Sequence, residues 1–142
     1  MLRHGLDTGW WGVPVTWVLV TRDDHLRQAC SLARARQTGW WEAGARDSAR
    51  PESSPRYDVD LIRESMAEID AQEIAWDAQF AAQGVEPRRL RYEQIGADYE
   101  GSVRAVLTQL GVDATRVPPP QLERQADHLT EEWVRRFEAD AD

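Results

Sequence analysis

The stretch that decides the fold is residues 15–21, Val-Thr-Trp-Val-Leu-Val-Thr. Its side chains are β-branched, aromatic or aliphatic and do not alternate with charged ones, which predicts a strand buried on both faces, as in a parallel α/β sheet. The run ends at Arg22-Asp23, and Asp24 is a suitable N-cap for a helix over residues 25–36. That helix has one apolar face, made of Leu26, Ala29, Cys30 and Ala33, and an opposite face made of Asp24, Gln28, Ser31 and Ala35.

Four later segments continue the order of elements. We predict a helix over residues 58–82, a short strand over 90–93, a helix over 99–110 and a last helix that begins at Thr130 as its N-cap. Gly84 and Gly111 are typical helix stop signals, and residues 44–55 have the composition of a mobile surface loop. The inward residues of the two middle helices are expected to be Ile62, Met66, Ile69, Trp76 and Phe80 in the first, and Val103, Val106, Leu107 and Leu110 in the second.

The order strand, helix, helix, strand, helix, helix predicts an α/β fold. Two short strands are fewer than the three that a sheet normally needs for independent stability. We therefore expect the chain to be the second part of a larger fold.

The composition excludes several classes of protein. The 142 residues carry a net charge of −8, which argues against non-specific nucleic-acid binding, and all 17 basic residues are Arg, which excludes lysine-dependent chemistry. One Cys excludes a disulfide framework, and the three His share no metal-ligand spacing, so no metal is expected. The longest apolar stretch, about 11 residues, is too short for a membrane span, which needs roughly 20. A cytoplasmic location is therefore expected.

A candidate anion site lies where the first strand ends. Ligands of open α/β sheets sit outside the carboxyl ends of the strands, and Arg22 stands there, followed by Gln28 and Ser31 on the helix face opposite the core. A guanidinium and a hydroxyl are suitable donors for a phosphate. The alternative is that Arg22 pairs with Asp23 or Asp24 and that Ser31 is only a small helix residue.

Other chemically capable residues have structural alternatives. Cys30 is expected to be a buried, inert thiol. Glu73 lies on an apolar stripe and is either a tuned carboxylate or the partner of a nearby Arg. Tyr92-Glu93 is either catalytic or a hydrogen-bonded structural pair. The Trp pairs at 10–11 and 40–41 either stack on a base or sugar ring or pack in a core or an interface.

A more specific signal is the string from Thr21 to Trp40, in which Gln28-Ala-Cys-Ser31 leads to Gln37-Thr-Gly-Trp40. It resembles the carbohydrate sulfotransferases of the trehalose 2-sulfotransferase family, and the resemblance extends over about residues 15–137. Later blocks agree in order, namely those at 75–80, 84–87, 90–93, 106–112 and 127–136.

The resemblance implies an α/β, three-layer, nucleotide-kinase-like (P-loop-type) fold, here incomplete and mostly helical with a short parallel sheet. It implies transfer of a sulfuryl group from 3′-phosphoadenosine-5′-phosphosulfate to a carbohydrate hydroxyl, without a metal. Arg22 and Ser31 match the family residues that hold the 3′-phosphate of this donor, and Gln28 is expected beside them. The acceptor is expected to be a sugar or a glycolipid, and an open sheet edge favours a homodimer.

One part of the family pattern has no match. Members carry a Gly/Ser/Thr-rich loop with an Arg for the 5′-phosphosulfate, followed by an acidic base, and residues 1–14 contain neither. We expect residues 1–14 to be an atypical segment, residues 15–142 to be the carboxyl-terminal part of one sulfotransferase domain, and the catalytic base to lie outside this sequence. The alternative is a non-catalytic nucleotide-binding or interaction remnant of the fold.

Overall fold

A computed structural model describes residues 15–39, 54–120 and 128–140. The predicted Trp pairs, the segment 1–14 and nearly all of the predicted loop over 44–55 lie outside these ranges. The elements, in chain order, are β1 (Val18–Thr21), α1 (His25–Thr38), α2 (Val59–Ala82), β2 (Arg88–Arg91), α3 (Tyr92–Ala97), α4 (Tyr99–Gln109) and α5 (His128–Asp140).

The described residues fall into two compact units. The first, which we call the sheet unit, contains residues 15–23 and 71–120, with both strands, α3 and α4. The second, the helical unit, contains residues 24–39, 54–70 and 128–140, with α1 and α5. Helix α2 contributes its first half to the helical unit and its second half to the sheet unit.

The two strands of the sheet unit pair in parallel, as the sequence predicts, with Val18 opposite Arg88 and Thr21 opposite Arg91. The prediction of a strand over residues 90–93 is wrong by two residues, because β2 begins at Arg88 and α3 begins at Tyr92. β2 matches the four residues of β1 one for one, so the ladder ends where its partner ends. The carboxyl ends of both strands therefore lie side by side.

Burial of β1 on both faces is also wrong. Val18 and Val20 are 39% and 53% exposed. Val18 also lines an apolar groove of about 190 Å³, whose lining includes Leu90 of β2 and Val106 of α4. The aromatic cluster of the sheet unit centres on Phe80 of α2, whose ring contacts Trp17 edge-on at 6.2 Å and stacks on Trp76 at 5.7 Å.

The prediction that Asp24 is the N-cap of α1 is confirmed. The Asp24 side chain accepts a hydrogen bond from the Arg27 backbone N–H at 2.9 Å, which satisfies one of the unpaired donors of the first turn. Gly39 ends the helix at φ 70°, a left-handed conformation that favours glycine, and its N–H donates to Ala35 O. Ala35 is buried, contrary to the prediction, so α1 is enclosed over more of its circumference than its apolar stripe.

The helical unit is organised around a core of seven buried residues. Trp133 is its largest fully buried side chain and contacts the Tyr57 ring edge-on at 5.9 Å. α1 and α5 pack against each other along this core. Its members are Ala29, Cys30, Ala33, Ile62, Ile69, Trp133 and Val134.

The other helix predictions are largely confirmed. α2 and α4 match their predicted ranges within one residue at each end, and Gly84 and Gly111 follow them with φ of 62° and 67°. Leu110 is exposed rather than inward. Thr130 is not an N-cap, because α5 begins at His128. The buried Thr130 hydroxyl instead accepts a hydrogen bond from Arg34 Nη1 at 2.7 Å.

Cys30 is a buried thiol, as the sequence predicts. Burial is the largest cause that raises its pKa from 9.0 to about 11, and the nearby Asp24 carboxylate adds to the shift. Because only the thiolate is nucleophilic, we expect native Cys30 to carry about 100-fold less thiolate at pH 8 than a free thiol. An aromatic disulfide reagent should label the native chain at least that much more slowly than the urea-unfolded chain.

The same shift predicts a pH dependence. Between pH 9 and about pH 11 the unfolded thiol has lost its proton while the folded thiol keeps it, so the free energy of unfolding falls as the pH rises through this window. Cys30→Ser serves as the control and should remove both the labelling and this contribution. Labelling of the native chain at the rate of a free thiol would contradict the burial.

Candidate functional site

The candidate anion site lies at the carboxyl end of the two-stranded sheet. Arg22 follows the last residue of β1, and Tyr92 follows the last residue of β2. Because the strands are parallel and in register, both residues leave the sheet at the same edge. This is the edge at which open α/β sheets bind their ligands.

The Arg22 guanidinium is packed between groups from the β2–α3 junction. Its Cζ atom lies 4.6 Å from the centroid of the Tyr92 ring, and its Nε atom lies 3.8 Å from Glu93 Oε1. Glu93 is itself held, since its Oε2 accepts a hydrogen bond from the Asp23 backbone N–H at 3.2 Å. The Arg22 side chain is 21% exposed, so the group is partly removed from water.

The neighbouring carboxylates that were the alternative partners of Arg22 are engaged elsewhere. Asp23 Oδ2 accepts a hydrogen bond from Arg91 Nη1 at 2.9 Å. Asp24 caps α1 and pairs with Arg27 Nε at 2.9 Å. The simple surface pair of Arg22 with Asp23 or Asp24 is therefore not the arrangement found here.

The Nε donor of Arg22 has no hydrogen-bond partner among the described residues. This atom is buried, and the Glu93 contact at 3.8 Å is too long for a hydrogen bond. A buried donor left without a partner costs about 1–3 kcal/mol, more when it is charged. Because the Glu93 carboxylate lies at the Nε edge, an oxyanion bound here would meet the opposite edge of the guanidinium, which is formed by its two terminal amino groups.

The other two predicted site residues lie on α1, in the helical unit. Gln28 and Ser31 are three residues apart, which places them on one face of the helix, and both are half-buried. The Oε1 atom of Gln28 is buried and has no hydrogen-bond partner among the residues of the three described ranges. Since Arg22 belongs to the sheet unit, the joint action of the three residues stays a prediction.

Two contacts of chemically capable residues were not predicted from the sequence. His25 Nδ1 lies 2.8 Å from Asp70 Oδ1, and the Tyr57 hydroxyl donates to Asp140 Oδ2 at 2.8 Å. Burial and the Asp140 carboxylate raise the pKa of Tyr57 to about 12. Their partners are 45 and 83 residues away along the chain, so no local spacing signals them. The described residues contain no group of three metal-ligating side chains.

The strand order and the arginine at the sheet edge define an α/β protein with a candidate oxyanion site. The family model described as Stf0 sulphotransferase matches residues 10–140. That match covers most of the sequence. The chain belongs to the Stf0 sulphotransferase family.

Two curated relatives are similar over most of the chain. The trehalose 2-sulfotransferase of Mycobacterium tuberculosis is 36% identical over 125 residues, which is 88% of this chain and 46% of that protein. The trehalose 2-sulfotransferase of Mycolicibacterium smegmatis is 37% identical over 122 residues, which is 86% of this chain and 45% of that protein. The chain therefore spans about half the length of these relatives and matches their carboxyl-terminal portion.

These comparisons confirm the resemblance that the Thr21–Trp40 string indicates. The described residues are mostly helical with a two-stranded parallel sheet, which agrees with an α/β sulfotransferase fold. Within the three described ranges, no helix has the length and apolar character needed to cross a bilayer.

Proposed function

We propose that this chain carries the 3′-phosphate part of the donor site of a carbohydrate sulfotransferase that uses 3′-phosphoadenosine-5′-phosphosulfate. Family membership supports the transferase class, and the names of the relatives support trehalose or a related sugar, free or in a glycolipid, as the acceptor. The observation that carries the proposal is the position of the Arg22 guanidinium at the carboxyl end of the parallel sheet, the edge at which open α/β sheets bind their ligands.

The chemistry of the group fits a phosphate. An arginine presents its donors in a planar fork that matches two oxygens of a phosphate, and it stays charged at every physiological pH. Ser31 would add a hydroxyl donor. The Gln28 amide would hydrogen-bond a neutral part of the nucleotide. Its Oε1, which has no partner within the described ranges, is an acceptor and would repel a phosphate.

Sulfuryl transfer also needs the developing charge to be neutralised and the acceptor hydroxyl to be positioned. We assign no described side chain to the general base. The family resemblance associates that role with an acidic residue that follows the Gly/Ser/Thr-rich loop, and residues 1–14 match neither element. The P-loop-type fold, the single domain over residues 15–142, the cytoplasmic location and the homodimer stay predictions.

The first test compares two nucleotides that differ only in the 3′-phosphate. We expect the chain to bind 3′-phosphoadenosine-5′-phosphate more tightly than adenosine 5′-phosphate. Arg22→Ala should weaken binding of the first nucleotide by about 10- to 100-fold, since a hydrogen bond to a charged group contributes about 1.5–3 kcal/mol. Binding of the second should change much less. Isothermal titration calorimetry measures both affinities.

A matched control is Arg89→Ala, which removes an exposed arginine from the same sheet, where it pairs with Asp77 at 2.7 Å. This variant should bind both nucleotides like the parent chain. Ser31→Ala should also reduce the preference for the 3′-phosphate. If Arg22→Ala leaves the ratio of the two affinities unchanged, Arg22 does not bind the 3′-phosphate and the proposal is wrong.

A further inference from the structure

The β2–α3 junction surrounds Arg22 on two sides. The Tyr92 ring lies against the guanidinium, with Cζ 4.6 Å from its centroid, and Glu93 Oε1 lies 3.8 Å from the Nε edge. Neither contact is a hydrogen bond, so neither consumes a donor that an anion needs.

Glu93 is held independently of Arg22. Its second oxygen accepts the Asp23 backbone N–H at 3.2 Å, which ties the first turn of α3 to the residue that follows Arg22. The carboxylate is 37% exposed and Tyr92 is half-buried, so these groups stand at the surface of the site and not deep in the core. Tyr92 and Glu93, which we call the Arg22 bracket, are therefore consecutive residues at the start of α3, directly after β2.

We propose that Tyr92 and Glu93 are positioning residues that hold the Arg22 guanidinium in the orientation in which its outer fork meets the 3′-phosphate of the donor. This inference rests on the proposed function. An arginine side chain has many rotamers, and a ring on one face with a carboxylate at the Nε edge restricts them before the anion arrives. Pre-organisation of this kind increases affinity because less freedom is lost on binding.

Tyr92 is tested with two substitutions that differ in the ring. Tyr92→Leu removes the aromatic face and should weaken binding of 3′-phosphoadenosine-5′-phosphate by about 3- to 10-fold, with less than a 2-fold effect on adenosine 5′-phosphate. Tyr92→Phe keeps the ring and should bind both nucleotides like the parent chain. An equal loss for both nucleotides in Tyr92→Leu would indicate general damage and overturn the positioning role.

The direction in which substitution of Glu93 changes the nucleotide affinity distinguishes two possible roles of this residue. Glu93→Gln keeps an acceptor for the Asp23 N–H but removes the negative charge beside Arg22. If Glu93 only lowered the local positive potential, its removal would tighten binding of the phosphate. The positioning role predicts the opposite, a weakening of roughly 2- to 5-fold, and tighter or unchanged binding would overturn it. Gln94→Ala, which alters the exposed next residue of α3, is the control and should have no effect.

A measurement without any ligand separates this inference from the proposed function. The ¹⁵N–¹H signal of Arg22 Nε, assigned by its loss in Arg22→Ala, should show restricted motion in the parent chain and increased motion in Tyr92→Leu and Glu93→Gln. A mobile Arg22 in the parent chain would overturn the positioning role of Tyr92 and Glu93 and leave the proposed function standing. A restricted Arg22 in a chain that does not prefer the 3′-phosphorylated nucleotide would overturn the proposed function, and the positioning role with it.

Discussion

Trp133→Ala is expected to lower the free energy of unfolding by about 3–5 kcal/mol, the range for removing a buried aromatic side chain. Trp133 is 2% exposed and is the largest fully buried side chain of the chain's described part. The substitution loses the transfer free energy of the indole, leaves a cavity between α1, α2 and α5, and removes the edge-on contact with Tyr57 at 5.9 Å. Urea denaturation followed by circular dichroism measures the change.

A change of this size is a large part of the total stability of an ordinary domain, which is about 5–15 kcal/mol. The variant should therefore unfold at a much lower urea concentration or populate the unfolded state in buffer. Glu138→Ala removes an exposed side chain from the same helix and should change the stability by less than about 0.5 kcal/mol. A midpoint for Trp133→Ala near that of the parent chain would show that the indole is not packed in this core.

The helices were predictable because their signals are local. Asp24 as a cap and Gly84 as a stop act within a few residues of the helix ends they define, and the structure uses both. Thr130 shows the limit of this logic. Its local sequence suits an N-cap. The Thr130 hydroxyl instead accepts a hydrogen bond from Arg34, 96 residues away, and α5 begins at His128, two residues before Thr130.

The strands were harder to predict because their ends and faces depend on distant partners. β2 ends at Arg91 because its ladder partner ends at Thr21, about 70 residues earlier in the chain. The apolar composition of residues 15–21 predicts burial on both faces, but Val20 is 53% exposed, because burial of a strand face requires a partner element that packs on it. Periodicity along one segment contains neither piece of information.

The candidate site was only half predictable for the same reason. The position of Arg22 at the end of a strand is visible in the sequence, and so is its match to the family string. The Tyr92 ring and the Glu93 carboxylate come from a segment about 70 residues away, and only the register of the parallel ladder brings them to Arg22. Tyr92 and Glu93 stand out in the sequence as chemically capable residues, but no local pattern indicates that they contact Arg22.

Phe80→Ala is the corresponding prediction for the sheet unit, with an expected loss of about 3–5 kcal/mol. Phe80 is 3% exposed, and its ring contacts both Trp17 and Trp76. The substitution therefore removes the ring that joins these two side chains in the aromatic cluster. Trp17 directly precedes β1, and its carbonyl accepts the Arg88 N–H of β2 at 2.8 Å. Increased motion of Trp17 should therefore weaken the hydrogen bonds between β1 and β2.

The readout follows from that connection. Hydrogen exchange should accelerate at the backbone amides of β1 and β2 in Phe80→Ala, because a two-stranded sheet has few other contacts to keep it closed. Ile74→Ala is the control, since Ile74 is on the same helix but 70% exposed. If the strand amides exchange at the same rate in the parent chain, in Ile74→Ala and in Phe80→Ala, the aromatic cluster does not support the ladder. The orientation of Arg22 at the end of β1 would then depend on the β2–α3 junction alone.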